Sequence, residues 1–259
     1  MYAVEVNGLR LAYRRAGHGR VVVFVHGGAE DSRTWTGQLE ALSDEFTVLA
    51  WDEPGAGESD DVPTTFTLAD YADCLVGLVR AVADGPVCLV GLSWGTTVIL
   101  ELYRRHPELV RRMVLADAYA GWLGSLGSEA ATVRLAAVRY ALSDPDGRGD
   151  PAPGLFAGTP PAYAVDLLAA MAADVRLPSM LAAATAMAQA DLSDVLPQVR
   201  VPTQLIWGAL DARSPLAVAR EFERRIPHAG LAVIPDCGHC SHLEKPAAFT
   251  DVVRRFLRS

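Results

Sequence analysis

The sequence predicts an α/β fold: a mostly parallel, doubly wound sheet of about eight strands, with helices on both faces and a helical insertion after the sixth strand. Short apolar runs without period-two alternation recur along the chain, which is typical of strands buried on both faces. The segments between these runs carry apolar residues at helical spacing. From about residue 118 to 197 the strand pattern stops and only Ala-rich helical patterns remain.

The chain opens with two strands, YAVEV and LRLAYRR, on either side of Asn7-Gly8, a dipeptide that suits the two-residue turn of a hairpin. Six further strands are predicted at 21–25, 46–51, 87–91, 113–117, 203–208 and 231–235. Helices are predicted between them at 32–43, 68–84, 94–106, 214–226 and 246–258. Because strands and helices alternate, the strands after the hairpin are expected to run parallel.

The insertion contains candidate helices near 125–142, 161–173 and 178–190. Its Pro/Gly/Asp-rich segment 143–154 is the best candidate for a mobile loop. The predicted organisation is therefore a core made of residues 1–117 and 198–259, with residues 118–197 as a helical lid inserted into it.

Composition excludes several classes of partner. The chain has 259 residues, 51% of them hydrophobic, and a formal net charge of -8, which argues against nucleic acid or an anionic membrane and favours a small neutral or apolar ligand. No apolar run reaches the length of a membrane span, and the first residues lack a signal-peptide pattern. With only four cysteines, the sequence predicts a soluble, cytoplasmic protein of unknown oligomeric state.

The motif GLSWG at residues 91–95 places Ser93 between an apolar strand and a helical pattern. In a Gly-x-Ser-x-Gly turn of this kind, the serine hydroxyl stands clear of the backbone and can act as a nucleophile. Glycine is needed at positions 91 and 95 because a side chain at either position would clash where the strand and the helix approach each other. The motif alone is weak evidence, and the strand before it and helix after it strengthen it.

A serine nucleophile needs a base within hydrogen-bonding reach and an acid that orients the base. His239 follows the last strand at the carboxyl end of the sheet and is the favoured base, with His242 as the alternative. Asp211 follows the preceding strand and is the favoured acid, with Asp117 as the alternative. This choice gives the chain order Ser, Asp, His.

Backbone N–H groups are also needed to stabilise the oxyanion of a tetrahedral intermediate. The sequence HGGAE at 26–30 supplies a glycine turn after a strand. The predicted donors are the amides of Trp94 and Gly28, with Ala29 as the fallback.

The stretch DCGHCSH at 236–242 contains Cys-Gly-His-Cys, a motif that also suggests a thiol-disulfide oxidoreductase. A redox domain needs most of its fold after the Cys-x-x-Cys motif, whereas only 19 residues follow Cys240. Cys237 and Cys240 are therefore interpreted as small residues that fill a tight loop. A weaker hypothesis is that a disulfide between them would strain the loop of His239 and lower activity.

The chain resembles lidded serine hydrolases of the α/β-hydrolase fold over nearly its whole length. Four motifs carry the resemblance: HGG, WDEPGAGES, GLSWG, and the pair GALD with CGHCSHLEKP. It implies that His239 is the base and that the second motif forms a structural turn through Asp52, Gly55, Gly57 and Ser59. It also implies no metal and no organic cofactor.

The predicted function is hydrolysis of an ester, lactone or thioester of a small, largely apolar molecule through an acyl-serine intermediate. Relatives that open epoxides or remove halides use an aspartate at this turn, so Ser93 argues against both reactions. Three alternatives stay open: a carbon-carbon bond hydrolase or lyase-type reaction, a proline iminopeptidase-like aminopeptidase, and a small-molecule receptor with little turnover. Candidate substrate-binding residues in the insertion are Trp122, Tyr163, Met171, Met180 and Met187.

Overall fold

The computed structural model describes residues 1–143 and 154–259. Over these residues, eight strands form a single sheet in the order β1-β2-β4-β3-β5-β6-β7-β8. The strands are β1 Tyr2–Val6, β2 Leu9–Ala16, β3 Val21–Val25, β4 Thr47–Trp51, β5 Val87–Leu92, β6 Val110–Ala116, β7 Thr203–Gly208 and β8 Gly230–Ile234. Strand β2 pairs antiparallel with β1 and β4, and all other pairs are parallel. The predicted mostly parallel sheet of eight strands is confirmed.

Ten α-helices accompany the sheet in the described part of the chain. They are α1 Thr36–Leu42, α2 Leu68–Val82, α3 Trp94–Arg105, α4 Trp122–Leu126, α5 Ser128–Ser143, α6 Ala162–Ala173, α7 Leu177–Gln189, α8 Leu216–Arg225, α9 Ser241–Glu244 and α10 Pro246–Arg258. Short 3-10 helices occupy Ser32–Trp35, Pro107–Leu109 and Leu196–Gln198. Helices α4 to α7 lie between β6 and β7 in the chain, which is where the sequence predicts an insertion.

Both faces of the sheet are buried, which explains why its central strands lack period-two alternation. In β3, Val23 and Val25 pack into one apolar cluster, which contains residues of α2, α3 and α8. Their neighbours Val22 and Phe24 point the other way, into a second cluster with residues of α1 and α10. Since every side chain of such a strand meets apolar neighbours, each position favours an apolar residue.

The parallel strands end together at one edge of the sheet. The last residues of β5 and β7, Leu92 and Gly208, pair with Ala116 of β6 and Ile234 of β8. The loops that follow β3, β5, β6, β7 and β8 therefore begin side by side. Each loop carries polar residues that the sequence singles out, so the topology brings distant parts of the chain to one place.

Three elements depart from the sequence prediction by three residues or more. The predicted helix 32–43 is the 3-10 helix Ser32–Trp35 followed by α1, which begins at Thr36. Strand β6 begins at Val110 rather than at 113, because the 3-10 helix Pro107–Leu109 leads directly into it and Arg111 and Arg112 interrupt the apolar pattern without ending the strand. The predicted helix 125–142 is two helices, α4 and α5, divided at Gly127 with φ +85°. The predicted mobile loop 143–154 lies almost wholly outside the described residues.

Polar contacts attach the insertion to the core at the turn that the second motif forms. The Asp52 carboxylate accepts hydrogen bonds from the amides of Ser32 and Glu58, at 2.8 and 2.9 Å. The backbone carbonyl of Asp52 accepts a hydrogen bond from the Ser59 hydroxyl at 2.7 Å. Arg176, just before α7, donates to the carbonyl of Ser59 at 2.9 Å. The turn is thus both closed on itself and bonded to the insertion.

No single helix in the described ranges has the length and apolarity to cross a membrane; only α6 and α7 taken together meet that test, and they are bent by 106° at the break between them.

Replacing Gly95 with alanine tests the close packing of α3 on β3. A Cβ at this position would lie 2.4 Å from the carbonyl oxygen of Val25 and 2.6 Å from that of His26, so the helix must move. We expect the free energy of unfolding to fall by at least about 2 kcal/mol, measured by urea denaturation. The control is Gly37→Ala in α1, where a Cβ has open space; it should gain roughly 0.5–1 kcal/mol from helix propensity. Equal stability of the two variants would contradict the packing.

Candidate active site

Ser93 occupies a tight turn between β5 and α3. Its backbone has φ 50° and ψ −113°, a conformation that costs a residue with a Cβ on the order of 1–3 kcal/mol. The turn is held by the Ser93 amide, which donates to the carbonyl of Ala116 at 3.0 Å, and by the Ser93 carbonyl, which accepts from the Thr96 hydroxyl at 2.6 Å. A Cβ on Gly91 would lie 2.7 Å from Ile99 Cδ1, so this glycine is required by the crossing of strand and helix.

His239 and Asp211 form a buried pair at the same edge. His239 Nδ1 lies 2.8 Å from Asp211 Oδ2. A carboxylate only accepts, so Nδ1 carries the imidazole proton and Nε2 of the neutral ring is left with its lone pair. The other carboxylate oxygen, Oδ1, accepts the amides of Arg213 and Ser214, each at 2.8 Å. Asp211 is thus fixed by its own loop while it orients the imidazole.

Burial lowers the pKa of His239 from its ordinary value, and the hydrogen bond and charge of Asp211 offset this effect only in part. The positive charges of Arg213 and Arg134 also lower this pKa. The imidazole is therefore neutral near pH 7, the state in which it can accept a proton.

His242, the alternative base, is a packing residue. Its ring is buried and lies 4.6 Å from the ring of Trp35, and its Nε2 is 2.6 Å from the Thr34 hydroxyl. Burial lowers its pKa to about 3. The contacts of His242 place its ring among the buried side chains of the core, and its lowered pKa results from that burial.

Asp117, the alternative acid, connects three loops. It leaves β6 with φ 45°, and its carboxyl oxygens accept from the Gly208 amide at 2.9 Å and from the Ser241 hydroxyl at 2.6 Å. Burial and the charge of Asp211 raise its pKa well above the ordinary value. The imidazole of His239 is bonded to Asp211 and not to Asp117.

Gly28 and Trp94 lie beside each other, as the predicted pair of oxyanion donors requires. A Cβ built on Gly28 would be 4.0 Å from Trp94 Cβ, and both residues line the same cavity as Ser93. Within the described residues, neither backbone N–H donates to another protein group. Ala29, the fallback, lines this cavity too and has φ 62°.

A network of buried polar groups holds the loop after β3. His26 Nε2 accepts the Glu53 amide at 3.1 Å, and Glu53 Oε2 accepts the Trp94 indole N–H at 2.6 Å. Glu30 Oε2 accepts the Gly27 amide at 3.1 Å. Burial raises the pKa of Glu30 and of Glu53 to about 7, against the opposing charge of His26. The sequence analysis did not single out these two glutamates. Each follows an apolar strand closely in the sequence, and that position is the signal by which they could have been found.

The cavity above Ser93 has a volume of about 210 Å³, smaller than the roughly 300–1,000 Å³ of most ligand pockets. The insertion contributes most of its apolar wall, and the core contributes the polar floor with His239. Residues of the insertion that line it are Tyr119, Trp122, Arg134, Val138, Leu155, Leu168, Ala172, Met180, Ala183, Ala184 and Met187.

Three of the five predicted substrate-binding residues, Trp122, Met180 and Met187, line this cavity, and two do not. Tyr163 does not line it: the residue is 51% exposed, and its hydroxyl donates to the carbonyl of Leu243. Met171 is buried but lines a smaller neighbouring cavity, together with Gly55 and Gly57 of the Asp52 turn. Arg134 and Arg213, which line the main cavity, were missed.

Cys237 and Cys240 are free thiols and buried. Burial raises the pKa of both, to about 12 for Cys237, which disfavours the reactive thiolate. Cys240 lines the cavity beside His239. The hypothesis of an inhibitory disulfide stays a prediction.

Among residues 1–143 and 154–259, no group of three or more His, Cys, Asp or Glu side chains is placed to hold a metal ion.

The fold and the site together define a class of α/β enzyme that has a serine turn after the central strand. The model of the alpha/beta hydrolase family matches residues 22–252, and the chain belongs to this family. It is a hydrolase.

Comparisons with known proteins agree with this assignment. An esterase from Thermogutta terrifontis, solved with malate bound, is 30% identical, with 100% of this chain and 98% of that chain covered and a TM-score of 0.88. The enol-lactonase from Burkholderia xenovorans LB400 is 27% identical over the whole of both chains, with a TM-score of 0.83. A 2-(acetamidomethylene)succinate hydrolase of Mesorhizobium japonicum is 26% identical over 265 residues, 98% of this chain and 94% of the relative.

The backbone conformation of Ser93 gives a stability prediction. Glycine adopts positive φ without the steric cost of a Cβ, so Ser93→Gly should be more stable than Ser93→Ala by about 1 kcal/mol. The control is the same pair of substitutions at Ser43, which has φ −68°; there the glycine variant should be the less stable one. Urea denaturation of the four variants measures the difference, and the same sign at both positions would refute strain at Ser93.

Proposed function

We propose that this chain hydrolyses an ester, lactone or thioester of a small, largely apolar molecule, with Ser93 as nucleophile, His239 as base and Asp211 as the orienting acid. The observation that carries the proposal is the convergence on one cavity of a strained serine, a carboxylate-bonded imidazole and two unused amides. An esterase and an enol-lactonase among the similar proteins support acyl-oxygen bonds as the target.

In the first half of the reaction, His239 Nε2 accepts the proton of the Ser93 hydroxyl while the Ser93 oxygen attacks the carbonyl carbon of the substrate. The Asp211 carboxylate, bonded to Nδ1, stabilises the imidazolium that forms. The amides of Trp94 and Gly28 donate to the oxyanion, and the loss of one such donor typically costs about 3 kcal/mol. His239 then gives its proton to the leaving oxygen or sulfur.

In the second half, water enters and His239 accepts one of its protons as the oxygen attacks the acyl-serine. The acid is released and Ser93 recovers its proton. The helices α4 to α7 act in this proposal as the lid, because their side chains close the cavity above the serine. A carbon-carbon bond hydrolase or an aminopeptidase would use the same groups, and the substrate profile separates these reactions from ester hydrolysis.

Variants of the triad test the proposal with 4-nitrophenyl acetate. We expect Ser93→Ala to abolish turnover and Asp211→Asn to lower kcat roughly 10³- to 10⁴-fold, because the imidazole loses its orienting charge. Asp117→Asn is the matched control: it alters a neighbouring buried aspartate that does not contact His239, and should lower kcat less than tenfold. Full activity of Ser93→Ala, or equal losses at both aspartates, would contradict the assignment. A single burst without sustained turnover would instead indicate a receptor.

The pH dependence follows from the lowered pKa of His239. Since the neutral imidazole is the active form, kcat/KM should fall on the acid side with an apparent pKa below 6.5, the ordinary value for histidine. Asp211 raises this pKa, so Asp211→Asn should move the residual acid limb to still lower pH. Rates of 4-nitrophenyl acetate hydrolysis between about pH 4.5 and 8 measure both. An acid limb above 6.5 in the unmodified enzyme would contradict the lowered pKa of His239.

A further inference from the structure

Arg134 is a positively charged residue of the insertion that lines the cavity. It lies on α5, one helical turn before Val138, and both residues line the cavity that contains Ser93 and His239. Its guanidinium lies over the rings of Tyr119 and Trp122, at 5.5 and 5.7 Å from their centroids. Two aromatic contacts therefore fix the position of the charge.

The hydrogen bonds of Arg134 leave its charge without a carboxylate partner. Nη1 donates to the Tyr119 hydroxyl at 2.9 Å and Nη2 to the carbonyl of Arg213 at 2.6 Å, and both acceptors are neutral. Within residues 1–143 and 154–259, no acidic side chain lies within ion-pair distance of Arg134. The carboxyl that does line the cavity, Glu30, accepts instead from the Gly27 amide.

A guanidinium in a mostly apolar cavity is stabilised when an anion pairs with it, because burial removes part of its hydration. The chain as a whole is acidic, with 31 Asp and Glu against 23 Lys and Arg, so a cationic cavity wall is a local arrangement. Arginine still has N–H donors in its planar fork beyond the two bonds above, and a carboxylate matches that fork with two coplanar oxygens.

We propose that the substrate of this enzyme carries a free carboxylate in addition to its scissile carbonyl, and that Arg134 binds this carboxylate. The inference rests on the proposed function, because it assumes that the carbonyl is attacked at Ser93. It adds that the largely apolar substrate has one anionic end, held at the α5 side of the cavity.

The spacing between carboxylate and carbonyl is short. The Tyr119 ring lies near both groups: its centroid is 5.5 Å from the Arg134 guanidinium and 6.0 Å from the centroid of the His239 ring. The cation and the base are therefore both next to one aromatic ring. A cavity of about 210 Å³ likewise accommodates only a short chain between the two ends of the substrate.

Half-esters of dicarboxylic acids test the proposal. The 4-nitrophenyl half-esters of succinate, glutarate and adipate are compared with the corresponding primary-amide esters, which have the same shape and no charge. We expect the unmodified enzyme to hydrolyse at least one half-ester with a kcat/KM about tenfold or more above that of its amide. In Arg134→Met this ratio should fall about tenfold, and in Arg134→Lys it should be retained in part, since a charge remains.

Arg139→Met is the matched control. Arg139 lies on the same helix but lines a separate surface pocket on the outer side of the insertion, so its removal should leave the ratio unchanged. Because the ratio compares two substrates of one variant, a general loss of activity cancels. A ratio near one in the unmodified enzyme, or the same ratio in Arg134→Met and Arg139→Met, overturns the proposal.

Binding separates this inference from the proposed function. Glutarate and its diamide are titrated calorimetrically into Ser93→Ala and into Ser93→Ala/Arg134→Met, neither of which needs to turn over. Tighter binding of glutarate that is lost with Arg134 supports the carboxylate site, even if no ester is hydrolysed and the proposed function fails. Equal binding of glutarate and diamide by Ser93→Ala counts against the site, even if neutral esters are hydrolysed.

Discussion

The site depends on the close crossing of α3 over the ends of β3 and β5. A Cβ at Gly95 would lie 2.4 Å from the carbonyl oxygen of Val25, so the helix can start here only without a side chain at that position. The crossing forces Ser93 to φ 50°. It also brings Trp94 next to Gly28. The proposed nucleophile and the proposed oxyanion donors therefore share a single packing constraint, and its steric cost is offset by the core around it.

The second half of the site is built by loops rather than by packing of helices. Asp211 is fixed by two amides of its own loop and holds His239 through Nδ1, while Asp117 joins the ends of β7 and α9 through Gly208 and Ser241. Burial and the charge of Asp211 raise the pKa of Asp117, so Asp117 binds a proton more readily than an exposed carboxyl does. Asp117 bonds to groups of two neighbouring loops, whereas Asp211 bonds to the imidazole of His239.

The sequence predicts the core well because local patterns determine it. Buried parallel strands need apolar residues at every position, and the turn at Ser93 needs glycines at fixed spacing, so both leave a signal in a short window of residues. Parallel strands end at one edge of the sheet, so residues 93, 211 and 239, each in a loop after such a strand, are expected at that edge. The prediction of which of two neighbouring aspartates pairs with His239 relied on chain order, and the geometry agrees with it.

The cavity wall could not be predicted in the same way. Helices α5 to α7 are rich in alanine and have little contrast between their faces, so the sequence does not show which side points inward. Tyr163 is predicted to line the cavity and lies outside it, whereas Arg134 lines the wall and was not among the predicted residues. Most of the cavity wall is thus contributed by the part of the chain where local patterns carry the least information.

Covalent labelling with a fluorophosphonate probe tests whether Ser93 is an activated nucleophile, because the probe reacts only with an activated serine and requires no knowledge of the substrate. We expect a single adduct on Ser93, located by mass spectrometry of the digested protein, that is lost in His239→Ala and retained in His242→Ala. An adduct on another residue, or labelling of Ser93 at the same rate without His239, would contradict it.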